Sequence, residues 1–153
     1  MIESGFSQVA QALLWPVLLL VALAFAYALW VSGMTLMEAW QRWRDAAYTA
    51  LPNGAEISLE ELELCLVRQI EPVRLLSRLS PMLGLIATMI PLGPALQSVA
   101  AGQGQQALSV FSGAFAAVVL ALAAAAMGLV VYSVRRRWLL TELLAVRKSR
   151  GVV

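Results

Sequence analysis

Over most of this chain hydrophobic residues do not alternate with polar ones; they run together. Three stretches, from about Leu13 to Met37, about Pro81 to Ala101 and about Leu108 to Val134, contain no Lys, Arg, Asp or Glu. Their polar positions are uncharged side chains such as Thr88, Gln97, Ser112 and Ser133. A helix needs roughly 20 apolar residues to cross a hydrocarbon core, so each stretch is predicted to be a transmembrane helix.

Between the first two runs the pattern changes. Leu59, Leu62, Leu66, Ile70 and Val73 recur at helical spacing opposite Glu60, Glu63 and Arg68. The stretch "LPNGAE", residues 51–56, is a turn signal, and Ser58 with Glu61 gives the S-x-x-E pattern of a capping box. These features predict an amphipathic helix leading into the second span, kinked at Pro72, with an acidic start and a basic end that suit its dipole.

The fold class is therefore an all-α polytopic membrane protein with three transmembrane helices and a short cytoplasmic amphipathic helix. Four segments follow: an outside arm and first span (1–37), a cytoplasmic helical segment (38–80), spans two and three (81–134) and a basic cytoplasmic tail (135–153).

Composition agrees. With 61% hydrophobic and 13% charged residues among 153, and a mean hydropathy of +0.79, the chain has more apolar surface than a soluble core of this size could hide. Every Lys and Arg lies either between spans one and two (Arg42, Arg44, Arg68, Arg74, Arg78) or after span three (Arg135, Arg136, Arg137, Arg147, Lys148, Arg150). By the positive-inside rule the N-terminus is outside and the C-terminus cytoplasmic. The pI of about 9.1 then reflects topology and contact with anionic lipid. It does not point to nucleic acid, because the basic residues lack aromatic interleaving or a groove-reading motif.

The first apolar run is too long for a signal-peptide core and follows Glu3 rather than a cation, so span one reads as a retained anchor. Trp15 near its outer end, Trp40 and Trp43 near its inner end, and Trp138 beyond span three fit interfacial aromatic belts.

Chemistry of the enzymatic kind has little to work with. Cys65 is alone and there is no His, so the usual zinc sites and Cys–His nucleophiles cannot be assembled, and no metal or cofactor is called for. No carboxylate lies within a span, as a small multidrug-type transporter would need. The chain is not expected to be an enzyme.

The second span carries a finer pattern. Pro81, Gly84, Thr88, Pro91, Ala95, Ser98 and Gly102 form a slim, weakly polar stripe, while Leu83, Leu85, Ile86, Met89 and Leu92 fill the rest. Such a stripe lets another helix approach closely, or lines a cavity where proline-freed carbonyls are tolerated. Periodicity leaves both uses open. In span three Gly113, Ala117, Ala121, Ala124 and Gly128 form a second small-residue row, predicted to pack against neighbouring subunits of a homo-oligomer.

"SPMLGLIATMIPLGPAL", residues 80–96, resembles the second-span signature of the MotA/TolQ/ExbB proton-channel family, of the "PxxGLxGT" type. The match is at Pro81, Gly84, Leu85 and Thr88, with Ala87 in place of the usual glycine. The order of spans and the basic "VRRRW" also resemble that family. The resemblance implies a pentamer in the bacterial inner membrane, built around a dimer of a single-span partner of the ExbD/TolR type. Proton flow would drive that partner to do work in the cell envelope, with the proton-carrying aspartate on the partner. Where family members place threonine in span three, this chain has Ala116, Ala117 and Val118, so the path would fall to Thr88 and Ser98 with Ser112. Gly84, Pro91 and Ala95 complete the expected pore-lining set.

The topology has a direct test. In intact cells an impermeant thiol reagent should label Gln105→Cys and leave Arg147→Cys unlabelled; labelling of the latter reverses the orientation.

Overall fold

The computed structural model describes residues 2–44 and 58–149, so the turn signal at 51–56 and Arg150 lie outside the described residues. The described residues form three helices: α1 (Ile2–Arg44), α2 (Leu59–Ala100) and α3 (Gly104–Ser149). Each is long and apolar enough to cross a membrane, which is the architecture of a multi-pass membrane protein. At 1.5 Å per residue these helices are about 60–70 Å long, roughly twice a hydrocarbon core of about 30 Å. Each therefore continues well past the lipid.

That continuity corrects one expectation. The amphipathic segment is not a separate short helix; it is the first part of α2, which runs unbroken through Pro72, Pro81, Pro91 and Pro94. Arg135, Arg136, Arg137, Arg147 and Lys148 after span three belong to α3, which continues to Ser149. The segment boundaries at 37/38, 80/81 and 134/135 all fall inside continuous helices. Packing explains why proline does not end α2. Leu62, Leu66 and Ile70 bury against Leu139 and Leu143 of α3, and Val73 buries with Val31 and Val131. These contacts hold the helix on both sides of Pro72.

The ends of α2 are set locally. The Ser58 hydroxyl accepts a hydrogen bond from the Glu61 N–H at 3.2 Å, and the Glu61 carboxylate accepts one from the Ser58 N–H at 3.1 Å. This is the reciprocal capping box. At the other end Gly102 has φ +77°, the left-handed conformation that glycine adopts without strain. The Gln103 N–H reaches Ser98 O at 2.9 Å and the Gly102 N–H reaches Val99 O at 3.0 Å, a Schellman closure. Residues 101–103 thus suffice to reverse the chain into α3.

α2 and α3 run antiparallel with small residues between them. A Cβ on Gly84 would lie 2.9 Å from the Ala121 Cβ, and one on Gly128 would lie 3.4 Å from the Ser77 backbone nitrogen. Ala87, Ala95, Ala121 and Ala124 are fully enclosed. α1 runs parallel to α3: Val17 clusters with Ala117, and Val31 with Val131. The α2–α3 contact is the most extensive of the three, and α1 lies across it.

Substitution at the seam should register as lost stability of the chain itself. Gly84→Leu or Ala121→Leu overpacks a closed contact, at a typical cost of about 1–3 kcal/mol. The expected result is a lower unfolding midpoint in a detergent or thermal titration. Gly113→Leu, with nothing within 4 Å of its added Cβ, should leave that midpoint unchanged.

Candidate functional site

The candidate site is the seam where α2 meets α3. Gly84, Pro91 and Ala95, expected to line an ion path, are buried inside the chain. Thr88 and Ser98 are half-buried at the edge of the same face. Ser112 is exposed, and at 100° per residue it lies about half a turn around α3 from Ala121. The structure brings the α2 members together and leaves Ser112 on the far side of α3, beside Gln105, Phe111 and Phe115.

The row expected to pack against neighbouring subunits divides in a similar way. Ala121 meets Gly84, and Gly128 meets Leu76 and Ser77, all within one chain. Ala117 is buried with Val17 and Ala87, and Ala124 is wholly enclosed. Within this chain their contacts are made by its own α1 and α2. Gly113 is the exception, being exposed.

Hydrogen bonding gives the seam its chemical character. The Thr88 hydroxyl donates to Leu85 O at 2.7 Å, with Gly84 O at 3.4 Å, and Ser98 donates to Pro94 O at 3.0 Å. Deeper along α2, the buried Ser80 donates to Leu76 O at 2.8 Å. A hydroxyl that gives its proton to its own helix turns lone pairs outward. Pro91 and Pro94 have no N–H, so the carbonyls of Ala87 and Ile90 lose their helical donors. From Ala87 to Ser98 the face of α2 that carries Thr88 and Ser98 therefore offers hydrogen-bond acceptors without matching free donors, the amide of Gln97 being exposed on the other side of the helix. No ionisable side chain stands among them.

Charge collects instead at the basic end of the bundle. Arg135 of α3 grips Glu38 of α1 through two hydrogen bonds, one of them Nε to Oε2 at 3.2 Å. Arg42 of α1 pairs with Glu142 of α3 and lies over the Trp138 ring, 4.7 Å from its centroid. Arg147 pairs with Glu63 at the start of α2. Charges at the rim of a bilayer are costly unless paired, and the Glu38–Arg135 pair lies where the charge-free runs of α1 and α3 end. Sequence patterning overlooked these pairs because the partners are about a hundred positions apart. The available signal was that the first charges after spans one and three, Glu38 and Arg135, have opposite signs.

The chain matches no protein-family model, no curated protein and no solved structure.

Proposed function

We propose that this chain is the membrane subunit of a proton-driven motor of the MotA/TolQ/ExbB type, a stator that uses the proton gradient to move a single-span partner. In this reading it assembles as a homopentamer in the bacterial inner membrane, with its N-terminus outside and its C-terminus in the cytoplasm. A dimer of an ExbD/TolR-like protein sits in the central pore, and the chain has no enzymatic activity of its own. One observation carries the reading: the acceptor-rich, proline-interrupted stretch of α2 from Thr88 to Ser98, in a chain whose spans hold no acid. Acceptors alone suit a proton that arrives already attached, as hydronium or as the protonated carboxyl of a partner helix. The resemblance at Pro81, Gly84, Leu85 and Thr88 supports the same conclusion.

A second reading keeps the assembly without conduction: a non-conducting oligomeric scaffold of the same fold that holds a partner helix. It is favoured by the hydroxyl bonds at Thr88 and Ser98, which are satisfied within their own helix and so serve simple helix packing.

Thr88 separates the two. Thr88→Val keeps the shape and removes the hydroxyl, and the lost membrane hydrogen bond costs only about 0.6–2 kcal/mol, so the oligomer should persist. Proton uptake by vesicles holding this chain with its partner should fall about tenfold, the equivalent of about 1.4 kcal/mol of barrier. Thr88→Ser should retain part of the activity. Wild-type uptake by an assembled Thr88→Val variant would leave packing as the role of the hydroxyl.

A further inference from the structure

On the face of the bundle where α1 and α3 lie side by side, an open groove of about 500 Å³ runs toward the basic end. Its walls include Ser32, Leu36 and Ala39 of α1 and Ala126, Val130 and Val134 of α3. Among the described residues no charged side chain lines it, and the hydroxyl of Thr35 in its wall is turned into its own helix, donating to Val31 O at 2.8 Å. The groove occupies the last turns of the charge-free runs of both helices and closes at the Trp138 ring. Ala39 also borders a second apolar recess with Trp40 and Trp43, so apolar surface continues to the end of α1.

At its basic end the groove comes near Arg137, which like Arg44 and Arg136 is exposed and outside the ion pairs of the described residues. Arg137 stands at the edge of the groove's α3 wall, about 20° from Ala126 and Val130 and about 60° from Val134 at 100° per residue. Arg135 and Arg42 are neutralised by Glu38 and Glu142, whereas Arg137 is exposed and forms no ion pair among the described residues. Because α1 and α3 are parallel and pair Glu38 with Arg135, Arg137 stands at the level of Ala39 and Trp40, where the groove ends. A long apolar channel ending at exposed tryptophans and a free guanidinium has the order of a phospholipid: chain, interface, phosphate.

We propose that this groove seats one acyl chain of an anionic phospholipid from the leaflet on the basic side, with its phosphate held by Arg137. Neither a free phosphate nor a zwitterionic lipid satisfies both ends equally, since the first leaves the groove unfilled and the second carries its own cation to compete with Arg137. The assignment requires only that the three helices cross a membrane. It stands or falls separately from proton transfer.

The test is native mass spectrometry of the full chain, purified in detergent, delipidated and titrated with dioleoyl-phosphatidylglycerol or dioleoyl-phosphatidylcholine. One phosphatidylglycerol should be retained per chain, with about a fivefold preference over phosphatidylcholine, the contribution of a single basic residue near a lipid phosphate. Arg137→Gln should abolish the preference while a lipid is still retained. Val130→Trp fills the groove from an exposed position without disturbing the core, and should remove retained lipid of either kind. Equal lipid retention by the wild type and Val130→Trp overturns the seat. Equal retention of the two lipids by the wild type overturns the role of Arg137. If the wild type holds no lipid and Val130→Trp splits the oligomer, a second copy fills the groove and the proposal is wrong.

Discussion

The rest of the molecule depends on a side chain that is missing. At Gly84 the α2 backbone comes so near α3 that even a methyl group would meet the Ala121 Cβ at 2.9 Å. Lipid tails are as apolar as leucine, so helices within a bilayer gain nothing by hiding grease from one another. Their association comes from close contact over small residues. Gly84, Ala87, Ala121 and Ala124 supply that contact in this chain and set the register of α2 against α3. The height of Thr88 in the membrane, the burial of Pro91 and the meeting of Val17 with Ala87 and Ala117 follow from that register.

A helix with four internal prolines is a poor helix alone, and its neighbours make it tenable. Each proline removes a donor and crowds the carbonyl one turn back. α2 tolerates this because its apolar stripe is clamped at one end by Leu139 and Leu143 and in the middle by the alanines of α3. The carbonyls so released are polar positions in a region otherwise short of them. Stability and the candidate chemistry thus have one origin, the same prolines weakening the helix and furnishing its acceptors.

What was legible in the sequence was what is local. The three spans, the capping box at Ser58 and Glu61, the packing face of Leu62, Leu66 and Ile70, and the slim stripe of α2 are all properties of neighbours within one helix. Which surface a stripe would meet was not legible. A row of alanines states that something comes close without stating whose helix it is, and Ala121 and Gly128 proved to meet the chain's own α2. Polarity marks Ser112 in the sequence, but only its angle around α3, opposite Ala121, says that it stands apart from the α2 stripe. The end of the amphipathic segment was hidden for a further reason: proline signals a break in an isolated helix, whereas tertiary contacts carried α2 through Pro72 and Pro81.

The turn at Gly102 bears on how the protein is made. Three residues between α2 and α3 leave no slack for one helix to settle in the bilayer while the other waits outside, so the two must enter as a hairpin. During biogenesis each then shields the other's weakest surface from hydrocarbon: the proline-freed carbonyls of α2 and the thinly covered backbone of α3. α1 is joined to them by a longer stretch of chain and by the Glu38–Arg135 and Arg42–Glu142 pairs. Gly102 thereby ties α2 and α3 into a single hairpin.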